Sequence, residues 1–189
     1  MDVFERLKEA AADEWAAYVG HPFVEGLGSG ELDEAAFKHY LVQDYLFLIQ
    51  FARAYALAAY KATTLEDLRA ATAGISAIVE TEMDLHVRMS SRWGLKRADL
   101  EEAEEARATV AYTRFVLDTG QRGDLLDLYA ALAPCMIGYA EMSARTLLTN
   151  ENGDGPKNPA KQTYVTPHVL KPPGFFQATS STVDRTASF

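Results

Sequence analysis

The chain has 189 residues, 48% of them hydrophobic, with a formal net charge of −9 and a sequence pI near 4.9. That length and apolar share suffice for one domain with a sizeable core. The acidic balance speaks against nucleic acid and anionic membrane as partners, because both repel a negative surface.

The first segment, "MDVFERLKEAAADEW", is amphipathic and acidic. It lacks a basic n-region and an apolar h-region, so no signal peptide is expected and the setting is read as cytoplasmic. Val3, Leu7, Ala10, Ala11, Trp15 and Tyr18 form one stripe of a predicted helix over 2–19. "GHPF" and "GLGSGEL" then read as a break over 20–32. Asp33 is the expected cap of a second helix reaching about Ala62. "TTLEDL" opens a third, capped by Thr63 or Thr64 and running to Trp93, with Gly94 as its stop. Asp99–Asp118 and Leu125–Leu148 complete five predicted helices. No period-2 strand signal and no internal repeat appear before residue 149, so the expected class is an all-α bundle. No continuous apolar run of 18 residues is present, and no membrane span is expected.

From Thr149 the composition changes. Residues 149–189 hold five of the seven prolines and show no helical periodicity. The reading is a helical domain over 1–148 and a poorly ordered tail over 149–189. Glu151, Asp154 and Asp184 against Lys157, Lys161, Lys171 and Arg185 leave that tail at +1 and the body at −10.

Several polar side chains fall on apolar faces. Asp44 shares a face with Phe37, Tyr40, Leu41, Leu48, Phe51 and Tyr55. A carboxylate there must be paired or hydrogen-bonded. It either bonds a buried protein group or awaits a ligand donor such as a heterocycle's amino group. Cys135, the single cysteine, follows Pro134 and precedes Tyr139 by one helical turn. It is either packing or a nucleophile, since a lone thiol cannot form an internal disulfide and suits a reducing compartment. Tyr112, with Phe115 and Val116, is either a core tyrosine or a pocket phenol. Glu82 and His86 stand at i, i+4 and read as metal ligands or as a structural pair. A dinuclear metal site needs a second such set, and the sequence has none. No GxGxxG, P-loop, GxSxG or CxxC motif is present, so neither a metal nor another cofactor is expected.

Taken together, "HPFVEGLGSGELDEAAFKHYLVQDYLFLIQFARAYA", "ETEMDLH", "ATVAYTRFVLDTG" and "LAPCMIGYAEM" resemble the TenA family, also called thiaminase II or aminopyrimidine aminohydrolase. The resemblance runs from about Val3 to Leu148, and the "YLVQDYLFL" and "PCMIGYAE" blocks carry it jointly. It implies a haem-oxygenase-like helical bundle, usually a homotetramer. It implies cleavage of thiamin or hydrolysis of the amine from 4-amino-5-aminomethyl-2-methylpyrimidine, giving a hydroxymethylpyrimidine for thiamin salvage. The resemblance is to the cysteine-bearing subgroup. It makes Cys135 the nucleophile, Asp44 the group that binds the ring nitrogen and amino group, and Tyr112, Tyr139 and Phe47 pocket residues. The family's general acid is a glutamate in a C-terminal "EEF"-like stretch, and no glutamate follows Glu151 here. The tail therefore reads as replacing the family's last helices. Two rivals follow: a catalytically impaired aminopyrimidine-binding protein, and a helical metal-dependent oxygenase.

Overall fold

Apolar residues at helical spacing must find a shared partner, and most find it along the long second helix of the sequence reading. The computed structural model describes residues 3–150, with side chains as far as Met142. Among these residues no strand occurs. The order is α1 (Val3–Ala10), α2 (Ala12–Val19), α3 (Pro22–Ser29), α4 (Glu34–Lys61) and α5 (Leu65–Ser76). A π-helical segment (Ala77–Glu82) follows, then α6 (Met83–Arg92), α7 (Arg97–Glu101), α8 (Arg107–Arg122) and α9 (Leu125–Asn150). Among the described residues there are two compact units. One holds the chain up to Asp33 together with α9 from Cys135 onward, and the other holds Glu34–Pro134. The tail expected from residue 149 lies outside the described residues beyond Asn150.

The second unit is organised by α4. Phe37, Leu41, Tyr45, Leu48, Phe51, Tyr55 and Ala58 are all buried on it, at spacings of three and four. Helices α5, α6, α7 and α8 pack against that stripe. Gly74 of α5 lets the Tyr55 ring pass: a Cβ there would lie 2.3 Å from Tyr55 Cδ1. Thr64 caps α5 by accepting the Asp67 N–H at 3.1 Å, and α6 ends as the glycine predicts. Gly94 has φ 79°. The Leu95 N–H returns to the Ser90 carbonyl and the Gly94 N–H to that of Ser91, both at 3.1 Å, which is a Schellman ending.

Three boundaries differ from the sequence reading. The stretch over 20–32 is not simply a break but contains α3. Pro22 stands at the first helical turn, where its missing N–H costs nothing. The His21 ring accepts the Phe23 N–H, and Gly30 at φ 77° ends the helix. The expected helix over 99–118 is two helices. Gln43 of α4 holds the intervening residues, donating to the Glu104 carbonyl at 3.0 Å and accepting from Ala106 N at 2.7 Å and Thr109 Oγ1 at 2.8 Å. The expected helix over 2–19 is likewise broken at Ala11. Its predicted stripe is not fully buried, since Val3 and Leu7 are each half exposed. Phe115, expected on the face of Tyr112 and Val116, is exposed, and Thr113, Val116 and Gly120 form the buried side of α8.

In the first unit, aromatic edges rather than the aliphatic stripe hold α1 to α2. Trp15 packs edge-on to Phe4 at 5.4 Å and to Tyr18 at 5.7 Å. Helix α9 is entered through a reciprocal cap. Asp124 accepts the N–H groups of Leu126 and Asp127, while Asp127 accepts that of Asp124. Leu125–Met142 is long and apolar enough to cross a membrane by length and composition. Leu128, Leu132, Cys135 and Gly138 recur along one buried side of it, the pattern of a packed core helix.

Candidate active site

Asp44 and Tyr40 are one turn apart on α4, so the phenol reaches the carboxylate: Tyr40 donates to Asp44 Oδ2 at 3.4 Å. From α6, His86 presents Nδ1 3.5 Å from the same oxygen. Its other nitrogen, Nε2, lies 2.5 Å from the Leu41 carbonyl oxygen. A carbonyl only accepts, so Nε2 carries a hydrogen and donates it. The His86 side chain is 2% exposed and that of Asp44 13%. These contacts explain how a carboxylate persists on an apolar helix, since a buried charge must be paired and hydrogen-bonded.

A second carboxyl group feels the first. Glu82 closes the π-helical segment, one turn before His86. Burial, and then the charge of Asp44, push its carboxyl up to about 7. The sequence reading treated Glu82 and His86 as a possible pair, but the ring of His86 is turned onto Asp44 and Leu41. Among the described residues no group of three or more His, Cys, Asp or Glu could hold a metal ion.

Phe47 and Tyr112 stack nearly parallel, with centroids 6.2 Å apart and planes at 18°, and Phe47 also stacks on Phe51 at 5.3 Å. They line a small apolar crevice with Val116 and Leu132. The Tyr112 hydroxyl donates to the Ala131 carbonyl at 3.2 Å. The core reading of this tyrosine thus has a bond to support it.

Cys135 and Tyr139 belong to the first unit, whereas Asp44, Phe47 and Tyr112 belong to the second. Cys135 is buried at 9% exposure. Pro134 before it removes one backbone donor from α9. One turn on, Gly138 admits the Tyr18 ring, for a Cβ there would meet Tyr18 Cε1 at 2.3 Å. Burial, and then the nearby Cys135, hold the Tyr18 phenol well above its ordinary pKa. Trp15 Nε1 donates to Glu141 Oε2 at 3.0 Å, tying α2 to α9. Tyr18 was expected only on the apolar stripe of the first helix, and His86 only as a partner of Glu82. The Tyr18–Gly138 approach could be sought as a tyrosine facing a glycine in a helix. The turn of His86 onto Asp44 depends on two helices far apart in sequence.

The helices and these clusters define an all-α protein of the haem-oxygenase-like class, as the solved relatives do. The sequence model of the TENA/THI-4/PQQC family matches residues 9–172. An aminopyrimidine aminohydrolase of Halalkalibacterium halodurans is 40% identical over 139 residues, covering 74% of this chain. The match spans 62% of that enzyme's length. An uncharacterised protein of Haemophilus influenzae is 35% identical over 182 residues, 96% of this chain and 82% of that one. The crystal structure of a TenA family transcription regulator from Silicibacter sp. TM1040 superposes with a TM-score of 0.82 at 38% identity. That superposition covers 97% of this chain and 78% of the other. The chain belongs to the TENA/THI-4/PQQC family.

Proposed function

We propose that this protein is a thiamin-salvage hydrolase of the aminopyrimidine aminohydrolase type. In this reading it releases 4-amino-5-hydroxymethyl-2-methylpyrimidine from the corresponding aminomethylpyrimidine, or from thiamin. The observation that carries the reading is Asp44, a largely covered carboxylate held by Tyr40 and His86 on the apolar face of α4. Its support is the 40% identity to an aminopyrimidine aminohydrolase.

The residue types suit the chemistry. A pyrimidine is electron-poor, and a thiolate is a strong nucleophile toward it. Cys135 Sγ forms a C–S bond to the ring, and the electron pair displaced expels ammonia from the protonated aminomethyl group, or the neutral thiazole from the thiazolium of thiamin, leaving an exocyclic methylene. Water then adds to that methylene and loses a proton. Loss of the thiolate restores the aromatic ring, so the net change is one water in and one amine out. Asp44 fixes the ring through its nitrogen and amino group. Phe47 and Tyr112 offer stacked aromatic faces, and Tyr139 is the remaining substrate-binding residue of this reading. The proposed setting is a cytoplasmic homotetramer.

The test is to incubate the full chain with aminomethylpyrimidine and with thiamin, following hydroxymethylpyrimidine by chromatography. Product that disappears in Cys135→Ala supports the hydrolase. Saturable pyrimidine binding without product replaces it with a binding protein.

A further inference from the structure

We infer that Tyr18 is a positioning residue for Cys135, its hydroxyl set on the turn of α9 that carries the thiol so that it donates a hydrogen bond to Sγ once the thiol ionises. The inference rests on the reading of Cys135 as the nucleophile of a pyrimidine hydrolase. It begins from a glycine. Gly138 follows Cys135 by three residues, so the two share a face of α9. In a helix the Cα–Cβ bond leans toward the N-terminus, so the place of the missing Gly138 Cβ lies on the Cys135 side of its turn. The Tyr18 phenol fills that place. Its oxygen stands 2.9 Å from where the Cβ would be, and Cε1 2.3 Å.

The ring is held from a second side. Trp15, one turn earlier on α2, packs edge-on to it at 5.7 Å, and Trp15 is itself tied to α9 through Glu141. Among the described residues the Tyr18 hydroxyl has no hydrogen-bond partner, so its hydrogen is uncommitted. Burial, and then Cys135, keep the phenol protonated through the range in which a thiol titrates. It is therefore an available donor, and a charged sulfur beside it is a strong acceptor.

The other ionisable groups of this cluster are Tyr139 and Glu141 on α9 and Lys8 of α1. Lys8 lies over the Trp15 ring and pairs with Glu5 at 2.8 Å. The Glu141 carboxylate opposes a second negative charge nearby, whereas a hydrogen bond to the charged sulfur favours it. The consequence is a larger share of thiolate, held in one orientation.

The experiment uses the full chain labelled with carbon-13 at the cysteine Cβ. Cys135 is the only cysteine, so one signal reports its ionisation. That signal is followed against pH in the parent, in Tyr18→Phe, in Gly138→Ala and in the double variant. Tyr18→Phe keeps the ring over Gly138 and removes the donor alone. Its midpoint is expected about one pH unit above the parent's, from the loss of one hydrogen bond to a charged group. Gly138→Ala drives a methyl into the Tyr18 ring, and this residue, 37% exposed, has room to swing outward and carry its hydroxyl away. It is expected to raise the midpoint in the parent and to add nothing in the Tyr18→Phe background. A midpoint unmoved by Tyr18→Phe overturns the inference, as does a Gly138→Ala shift equally large in both backgrounds. Release of hydroxymethylpyrimidine is measured alongside. Below both midpoints Tyr18→Phe holds about a tenth of the thiolate, each roughly three-fold more nucleophilic, so kcat is expected to fall roughly three-fold with KM unchanged. A raised midpoint with kcat unchanged overturns the role in the reaction. A raised midpoint in a chain that makes no product upholds the contact and overturns the hydrolase reading instead.

Discussion

At the residue scale, the Cys135 thiol and the Glu82 carboxyl carry separate tests. Cys135→Ser is expected to abolish release of hydroxymethylpyrimidine while leaving pyrimidine binding within a few-fold, because the hydroxyl is a far weaker nucleophile of similar size. Single-turnover chromatography with a parallel binding titration checks both halves. Glu82 has a pH signature. Its folded carboxyl titrates near 7 and its unfolded one near 4.5, so the folded state binds more protons between those values. Stability therefore falls as pH rises through that window and levels off above it. The full shift corresponds to a cost of about 3 kcal/mol. Glu82→Gln removes the charge, so it is expected to melt higher than the parent at about pH 8 and to match it at about pH 4. A melting difference equal at the two pH values would count against the assignment.

At the scale of elements, α4 has two partners that composition alone does not reveal. Gly74→Ala drives a methyl into the buried Tyr55 ring from α5. Neither side of that contact can move without disturbing the α4 stripe. A loss of roughly 1–3 kcal/mol is expected in denaturant unfolding. Gln43→Ala removes two hydrogen bonds to the connection between α7 and α8 and one to Thr109 in the first turn of α8. It is expected to cost about 1–3 kcal/mol, since the Ala106 N–H and Glu104 carbonyl lose their partner. Amide hydrogen exchange should rise first over 102–109. Residues 102–106 contain neither glycine nor proline, so no breaker marked this connection. The glutamine that holds it lies about sixty residues earlier.

At the scale of the molecule, charge and ligand linkage decide. A net charge of −9 sets this chain against phosphate backbones. Duplex DNA is expected to show no saturable binding at physiological salt by fluorescence anisotropy. This matters because a solved relative is described as a transcription regulator. The pyrimidine reading also predicts a melting shift. Aminomethylpyrimidine at about a hundred times its Kd should stabilise the folded chain by about 2.7 kcal/mol. Asp44→Ala should lose most of that shift.

The sequence alone determined the helical class, because apolar residues recur at three and four along nearly every segment, and Thr64 and Gly94 bring their own terminal chemistry. It also singled out Asp44, since a carboxylate on a core stripe demands a partner. One partner, Tyr40, stands one turn away on the same helix, but the other could not be read from spacing. The answer is a histidine on another helix, turned there by a backbone carbonyl of α4, and long-range pairing of this kind leaves no local period. Proline and glycine misled over 20–32 because their effect depends on position within a turn: Pro22 starts α3 and Gly30 ends it. Phe115 misled in the opposite way, for apolar character permits burial without requiring it. Only the packing of α8 determined that Thr113 would face inward and Phe115 outward.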